Sequence, residues 1–292
     1  MPDPRPDDPR TGDPRTGDPR TGDPRTEVTL ALSQWQQLHL RHLAHRRIVS
    51  TPFAERVVVL IPHPDDEVLG LGGTLLRLRG QAQVELVYLT DGRIGAGDRS
   101  VEEQMAATRA AEAKEIAARL GVSSPVLVGC NEHTFADASN EPMLVARIAE
   151  VLQRVRPDVV FAPFLWEAHG DHRYVNHLLA AAMRTTGLQP IVAGYEVWSM
   201  APPGWCLDIG AQLPEKLELM RCYRSQMALF DYVAMAWTRA VLHAPLIPGA
   251  SGVEVFWPCR GDKFVELVAG LDLASPAAQR TIALLTVPDT MP

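Results

Sequence analysis

The segment VVVLIPHPDDE, residues 57–67, decides the fold. Its first five residues are β-branched or otherwise apolar, and such a run predicts a strand buried on both faces of a sheet. The strand ends abruptly in a histidine and three acids, and a helical pattern follows from Val68 to about Arg79. The polar cluster is therefore expected at the carboxyl end of a strand, where ligands bind in open α/β sheets.

Two interpretations of this cluster are open. His63 and Asp66 are three residues apart on a turn, so both side chains can converge on one cation while Asp65 stays free. Adjacent carboxylates repel each other unless a cation or a proton is near. The alternative is helix capping by Asp65 or Asp66, because acids are common in the first turn of a helix.

A second cluster of the same kind, HGDH at residues 169–172, favours the metal interpretation. It follows another run that predicts a buried strand, residues 158–163, so two strand ends of one sheet each carry His and Asp. Together His63, Asp66 and His172 form a His₂-carboxylate set with open positions. Such a set suits catalytic zinc, and Fe(II) is also compatible with these donors.

The two motifs resemble those of the PIG-L/LmbE-like zinc-dependent de-N-acetylases, which carry PHPDDE near the start and HxDH downstream. The resemblance covers roughly residues 56–226 and, more weakly, the rest up to residues 254–256. Weaker matching signatures are Thr90-Asp91-Gly92, the R-x-x-E of Arg109 and Glu112, Tyr195-Glu196-Val197-Trp198, and the segment Lys216…Ser225-Gln226.

The resemblance implies catalytic roles for the acids and histidines of both motifs. Zinc would sit on the His₂-carboxylate set, lower the pKa of a bound water and polarise an acetamide carbonyl. Asp65 would take the proton of that water as general base and return it to the leaving amine. His169, when protonated, would donate to the oxyanion, and Asp171 would orient a histidine through its ring N–H.

Substrate contacts are implied by the same resemblance. Arg109 matches a position that contacts sugar hydroxyls, whereas the alternative is an Arg109–Glu112 ion pair on a helix surface. Glu132 lies where many relatives carry a substrate-contacting aspartate. Gly170 replaces the proline common in His-Pro-Asp-His, which removes no ligand.

Composition excludes several classes of protein. The chain has 292 residues, 46% of them hydrophobic and 22% charged, which suits one large soluble α/β core. A net charge of −7 argues against a nucleic-acid surface, which would be basic. We find no apolar run near the length of a membrane span and no apolar segment of a signal peptide, so we predict a cytoplasmic protein without a membrane span. The sequence is compatible with an oligomer and does not determine the oligomeric state.

Four scattered cysteines lack any C-x-x-C spacing. We interpret them as reduced, buried thiols, which agrees with a cytoplasmic location. The alternative is a disulfide between Cys206 and Cys259.

The amino-terminal residues differ in composition from the rest. Residues 1–26 repeat Thr-Gly-Asp-Pro-Arg and contain almost nothing apolar, so we predict a disordered low-complexity tail. We assign residues 27–292 to a single de-N-acetylase domain. Within it, residues 29–48 are predicted to form a helix, and histidines at three-residue steps there are interpreted as its solvated face.

The remaining pattern alternates between strands and helices, which predicts a Rossmann-like parallel sheet with helices on both faces. The predicted strands lie near 56–62, 83–90, 125–129, 158–163 and 191–198, and the predicted helices near 67–79, 101–120, 142–156, 172–186 and 213–226. The glycines of the segment Gly70-Leu71-Gly72-Gly73 lack the spacing of a dinucleotide loop, so close packing explains them better. After Tyr195 the part toward the carboxyl terminus is expected to add short strands and loops over the metal site, and residues 272–292 to form a short helix or fray.

These observations lead to one main hypothesis and two alternatives. The main hypothesis is a zinc hydrolase that removes acetyl from an N-acetylated amino sugar of N-acetylglucosaminyl type. The sugar would be carried on a small conjugate such as a thiol precursor, an aminocyclitol or a natural product. The alternatives are a non-catalytic sugar- or nucleotide-binding protein on the same fold and a hydrolase of another small amide. A binding protein would be free to lose Asp65 or a ligand, and all of them are present.

Overall fold

The computed structural model of the protein describes residues 46–51, 53–96, 98–122 and 124–271. The predictions of a disordered tail over residues 1–26 and of a terminal segment over residues 272–292 lie outside these ranges, as does most of the predicted helix at 29–48. Among the described residues, no helix combines the length and hydrophobicity that a membrane-spanning segment needs.

The described strands form one eight-stranded sheet in the order β1-β7-β8-β6-β5-β2-β3-β4. Strand β8 runs antiparallel to both of its neighbours, and the other pairs are parallel. The strands are β1 (Arg47–Ile48), β2 (Arg56–Ile61), β3 (Gln83–Thr90), β4 (Val126–Cys130), β5 (Val159–Pro163), β6 (Ile191–Tyr195), β7 (Trp205–Asp208) and β8 (Val253–Cys259).

Helices alternate with the strands up to β6, as predicted. The described α-helices are α1 (Asp66–Leu78), α2 (Glu102–Arg119), α3 (Glu141–Val155), α4 (Gly170–Thr186), α5 (Leu213–Cys222), α6 (Arg224–Met227), α7 (Tyr232–His243) and α8 (Gly261–Gly270). The sequence pattern missed α7 and α8, and the helix predicted over residues 213–226 is two helices that meet at Tyr223.

Strand β2 lies at the centre of the sheet and supplies both cores. Val57, Val59 and Ile61 face one hydrophobic cluster, and Val58 and Leu60 face the other. All five side chains are fully buried. Since burying one such side chain stabilises the fold by about 1.5–3 kcal/mol, this strand anchors the turn that follows it.

One expectation about the amino-terminal part of the domain was wrong. The carboxyl end of the predicted helix at 29–48 is instead strand β1, held to β7 by hydrogen bonds from Arg47 N to Gly204 O (2.8 Å) and from Val49 N to Cys206 O (3.0 Å). The part toward the carboxyl terminus adds short strands, as expected: β7 and β8 extend the sheet beyond β6 through antiparallel pairing of β8 with β6 and β7.

Helix α1 is kinked at Leu71, where φ is −145° and ψ is 20°. Lys216 and Glu254, both buried, hold the kink. Lys216 Nζ donates to Leu69 O (2.9 Å) and to Glu254 Oε1 (2.7 Å), and Glu254 accepts from the N–H groups of residues 73 and 74 (2.8 and 2.7 Å). We call this pair the Lys216–Glu254 clamp; it replaces the helical hydrogen bonds that the kink breaks.

The glycines of α1 are explained by close packing, as expected. A Cβ atom at Gly70 would lie 2.4 Å from the ring of Tyr195, and one at Gly73 would lie 2.7 Å from Ile209. The four cysteines are free thiols, so the Cys206–Cys259 disulfide is absent.

Candidate metal centre

The two polar clusters meet at the carboxyl ends of β2 and β5, which are neighbours in the sheet. From β2 the chain continues outward through β3 and β4, and it then returns to add β5 and β6 on the other side of β2. The connections diverge between β2 and β5, and open α/β sheets bind ligands at such a point. His63, Asp65 and Asp66 follow β2, whereas residues 169–172 lie at the start of α4.

Three buried atoms of the predicted ligand set form a nearly equilateral triangle. His63 Nδ1 lies 3.2 Å from Asp66 Oδ2 and 3.2 Å from His172 Nε2, and the last two atoms are also 3.2 Å apart. Nitrogen and oxygen ligands of zinc lie at about 2.0–2.1 Å from the ion, which places neighbouring tetrahedral ligands about 3.3 Å apart. The donor set therefore fits a small divalent cation with an open position.

Two overlapping groups of the described residues also lie close enough for a cation. One is His63 with His169 and His172, and the other is His63 with Glu132 and Asp171; each has its ligand atoms within 4.8 Å of one another. We favour the triangle because its atoms are closer together. The second group uses the ring edge of His63 that faces away from the triangle, so it fits an orienting role better than a ligand role.

Asp65 stays outside the triangle. It precedes α1 at the N-cap position, but its side chain makes no capping hydrogen bond, so the capping interpretation does not hold for Asp65. Its carboxylate instead accepts from Arg109 Nη2 at 3.0 Å. Its φ of 136° is rare for a residue other than glycine. Strained backbone of this kind persists where the surroundings hold a functional residue in place.

A buried acid beneath this turn supports its backbone. Glu67 accepts a hydrogen bond from Asp65 N at 3.2 Å. Its other carboxylate oxygen accepts from Tyr88 Oη at 3.1 Å and from Tyr223 Oη. Burial raises the pKa of Glu67 to about 7, although these hydrogen bonds oppose the rise. The strained peptide at Asp65 is therefore anchored from below by two elements, β3 and the junction of α5 and α6.

The pKa values of the adjacent carboxyl groups of Asp65 and Asp66 are shifted in opposite directions. Burial raises the pKa of Asp65 to about 8, although the Arg109 guanidinium lowers it. Burial acts in the same direction on Asp66, but His172 and His63 overcome it and hold the pKa of Asp66 well below its usual range. Asp66 is thus suited to be an anionic ligand and Asp65 to accept a proton, and a nearby cation would favour the ionised form of Asp65.

Arg109 is almost completely buried and points at this turn. Its guanidinium donates to Pro64 O, to Gly92 O at 3.1 Å and to Asp65 Oδ2. Gly92 has a φ of 67°, and a Cβ atom there would lie 2.7 Å from Arg109 Nε. Glycine in the Thr90-Asp91-Gly92 signature is therefore explained by the close approach of Arg109.

The alternative of a surface Arg109–Glu112 pair was wrong. Glu112 is also buried, and it accepts hydrogen bonds from Ser225 N at 3.0 Å and Ser225 Oγ at 2.6 Å. Arg109 and Glu112 thus make contacts in different directions from α2. Contact of Arg109 with a substrate hydroxyl stays a prediction.

Acidic side chains surround the outer edge of His63. Its Nε2 lies 3.1 Å from Asp171 Oδ2 and 3.4 Å from Glu132 Oε1. An N–H at Nε2 leaves Nδ1 free to face the triangle, in the manner of a carboxylate that orients a metal-bound histidine. The predicted orienting residue, Asp171, thus contacts His63, and Glu132 lies beside it; a substrate contact of Glu132 stays a prediction.

Glu167 contributes to this site and was missed by the sequence reasoning. Its carboxylate accepts from the backbone N–H groups of Val197, Trp198 and Ser199 at 2.8–3.2 Å. One of its oxygens lies 3.7 Å from His172 Nδ1, longer than a hydrogen bond, and this Nδ1 has no hydrogen-bond partner among the described residues. The sequence feature that could have identified Glu167 is the presence of an acid two residues before the HGDH motif.

His169 can donate a hydrogen bond without carrying a positive charge. Its Nδ1 accepts from Asp171 N at 3.2 Å, so the proton of the neutral ring lies on Nε2. Burial and the neighbouring His63 and His172 lower the pKa of His169. The ring centroid of His169 lies 4.9 Å from that of His63. The hydrogen bond to the oxyanion, which we predicted for a protonated His169, can therefore also be donated by Nε2–H of the neutral ring.

Comparison with known proteins agrees with this geometry. The family described as PIG-L, GlcNAc-PI de-N-acetylase, matches residues 58–183, which include both metal motifs. The chain is 30% identical over 201 residues to the diacetylchitobiose deacetylase of Thermococcus kodakarensis, which covers 61% of this chain and 73% of that relative. The chain belongs to the PIG-L family.

Other PIG-L-type relatives extend the similarity. A 1D-myo-inositol 2-acetamido-2-deoxy-alpha-D-glucopyranoside deacetylase of Mycobacteroides abscessus is 24% identical over 284 residues, with 75% of this chain and 99% of the relative covered. The solved structure of the N,N'-diacetylchitobiose deacetylase from Pyrococcus horikoshii superimposes with a TM-score of 0.63 and 26% identity. That match covers 80% of this chain and 94% of the other. The PIG-L fold thus extends well beyond the residues matched by the family.

Proposed function

We propose that this PIG-L family protein is a zinc-dependent hydrolase that removes the acetyl group from an N-acetylated amino sugar of N-acetylglucosaminyl type on a small conjugate. The observation that carries the proposal is the triangle of His63 Nδ1, Asp66 Oδ2 and His172 Nε2 beside a free Asp65. The names of the relatives support the substrate class, because they include deacetylases of acetamido-sugar conjugates.

Three residues would hold the metal: His63, Asp66 and His172. When bound, zinc supplies Lewis acidity toward an amide carbonyl and lowers the pKa of a water in its open position. Two neutral imidazoles and one carboxylate leave a net positive charge at the centre, which suits the polarisation of a carbonyl. Fe(II) binds the same donor types.

Asp65 would act as the general base. The attacking water loses a proton to Asp65 as its oxygen bonds to the acetamide carbon, and Asp65 then delivers that proton to the nitrogen as the C–N bond breaks. The products are acetate and the free amine. Arg109 contributes by fixing the orientation of the carboxylate through the 3.0 Å contact.

His169 would stabilise the charge that develops on the carbonyl oxygen. The Nε2–H of its neutral ring is free to donate, because Nδ1 is engaged by Asp171 N. A preformed donor at the developing oxyanion commonly contributes about 10²–10³-fold in rate. Asp171 would hold the orientation of the His63 ring through its 3.1 Å contact with Nε2, and the Glu167 carboxylate would place a negative charge beside His172.

The test combines metal analysis with substrate screening. Purified protein is expected to hold about one tightly bound divalent ion per chain, and His172→Ala is expected to lose it. His177→Ala is the matched control, since His177 contacts Glu141 on the outer side of α4. Acetate release from a panel of N-acetylglucosaminyl conjugates should stop after chelation and return with zinc or Fe(II). Equal metal content in His172→Ala and wild type would contradict the ligand assignment.

A further inference from the structure

Three aromatic side chains, two of them exposed and Tyr232 half-buried, form a cluster that the proposed chemistry does not use. The ring centroids of Trp198 and Phe230 are 6.2 Å apart, those of Trp198 and Tyr232 are 6.1 Å apart, and those of Phe230 and Tyr232 are 5.3 Å apart. Trp198 is 41% exposed and Phe230 is 50% exposed. We call these three residues the aromatic wall. Leu229 and Met200, near it in sequence, are also exposed.

The loop that carries Trp198 is tied to the metal centre. Its backbone N–H donates to Glu167 Oε2 at 2.8 Å, and the same oxygen lies 3.7 Å from Nδ1 of the ligand His172. One hydrogen bond therefore links the backbone of Trp198 to the Glu167 carboxylate, which faces His172. Such a tie fixes the backbone of Trp198 near Glu167.

Tyr232 forms the other side of the wall. It begins α7 directly after Phe230 and Asp231. Burial raises the pKa of its phenol to about 12, and the nearby Asp65 carboxylate adds to the rise while Arg109 opposes it. Tyr232 is therefore within electrostatic range of the proposed general base. The wall is built from two separate chain segments, and the segment that carries Trp198 is the one hydrogen-bonded to Glu167.

The chemistry of the wall favours an apolar occupant. The side chain of Asp231, the acid between two of its members, is turned back to cap α7 by accepting from Ala234 N at 2.9 Å. The rings meet edge to face, at interplanar angles of 64–67°, so they present ring faces and edges without a charged group of their own. Contiguous exposed apolar side chains beside a site commonly mark a binding surface.

We propose that the aromatic wall binds an apolar, aromatic aglycone attached to the amino sugar, on the side away from the reacting amide. The inference rests on the proposed deacetylase function and deepens it by naming the substrate class. The wall is partly open to solvent, and its three rings offer far more contact surface than the methyl group of an acetamide requires. An aglycone that leaves the reacting centre toward solvent matches both its size and its exposure.

The test compares two glycosides that differ in the aglycone alone. Wild-type protein loaded with zinc is given the methyl and the phenyl glycosides of N-acetylglucosamine, and kcat/KM is measured for each by acetate release. We expect the phenyl glycoside to be favoured by about 10-fold, the discrimination that about 1.4 kcal/mol of ring contact provides. Trp198→Ala and Phe230→Ala should each bring the ratio close to one while the rate on the methyl glycoside changes little.

Trp237→Ala is the matched control. Trp237 is an equally exposed aromatic on α7 (50% exposed), and five residues at about 100° each place it about 140° around the helix from Tyr232. This variant should keep the phenyl preference of the wild type. A loss of preference in Trp237→Ala as large as that in Trp198→Ala would contradict a local subsite.

Binding measurements separate this inference from the proposed function. Asp65→Asn protein loaded with zinc is titrated calorimetrically with both glycosides, so that affinity is measured without turnover. Deacetylation of the methyl glycoside with no phenyl preference in rate or affinity would overturn the aromatic subsite and leave the deacetylase intact. A phenyl preference in affinity with no acetate release would support the subsite and overturn the deacetylase. Wall variants that change the oligomeric state but not the ratio would show an interface between copies and overturn the subsite.

Discussion

The metal centre and the Lys216–Glu254 clamp are both buried clusters of charge, and they differ in how that charge is satisfied. In the clamp the Lys216 ammonium and both oxygens of Glu254 have protein partners, including backbone groups of α1. In the metal centre His63 Nδ1, Asp66 Oδ2 and His172 Nε2 point at one another across 3.2 Å. Nδ1 of His172 lacks a hydrogen-bond partner among the described residues.

The difference separates a structural role from a functional one. Buried charge is costly unless it is paired and hydrogen-bonded, so a fully satisfied pair needs nothing more from outside. A cluster whose donor atoms converge on a common point is completed by a group that the protein itself does not supply. The clamp is therefore expected to act on stability, and the metal centre on metal binding and turnover.

The largest expected effect is on turnover, in Asp65→Asn. The substitution keeps the shape of the side chain and its contact with Arg109, but it removes the group that takes a proton. We expect kcat to fall by about 10²–10⁴-fold, the usual contribution of a general base. Metal content and melting temperature should stay near those of the wild type. A variant that retains most of its activity would reject Asp65 as the base, and one that loses its metal would make Asp65 a ligand.

The next effect is on stability, in Lys216→Met. It leaves the Glu254 carboxylate buried without its cation, and breaking a buried pair in this way costs about 3–5 kcal/mol in the free energy of unfolding. The double variant Lys216→Met with Glu254→Gln should recover part of that loss, since no unpaired charge remains. Urea denaturation of the metal-free protein measures both.

An exposed ion pair provides the control for the clamp. Arg147 Nη1 lies 2.7 Å from Glu150 Oε2 on the surface of α3. Because solvent screens such a pair, Glu150→Gln should change the free energy of unfolding by less than about 1 kcal/mol. Similar losses in Lys216→Met and Glu150→Gln would show that the clamp has no special part in holding the kink of α1.

The smallest expected effect is on metal affinity, in Glu167→Gln. Loss of the charge beside His172 Nδ1 should weaken metal binding by about 10–100-fold, as is usual for groups that orient a metal-bound histidine. Competition with a chelator of known affinity measures the change. Glu141→Gln is the matched control, because Glu141 contacts His177 at 3.2 Å away from the metal centre. Equal affinities in the two variants would remove Glu167 from the metal site.

Much of the fold could be predicted because its determinants are local. The apolar run of β3 was predicted at 83–90 and found at Gln83–Thr90, and β2, β4, β5 and the first four helices lie within about two residues of their predictions. Strand β1 could not be predicted in this way, because two residues form a strand only when a distant partner, β7, supplies the hydrogen bonds. The place of β7 and β8 in the sheet depends on the same kind of long-range pairing.

The sequence by itself determined the ligand types and their proximity within each motif, since His63, Asp65 and Asp66 lie on one turn and residues 169–172 on another. Only the tertiary structure decided the rest. It placed β2 beside β5, so that the two turns meet, and it brought the loop of Trp198 into hydrogen-bonding contact with Glu167. The physical reason is that side chains far apart in the chain acquire a common position only when the sheet order and the packing of helices are complete.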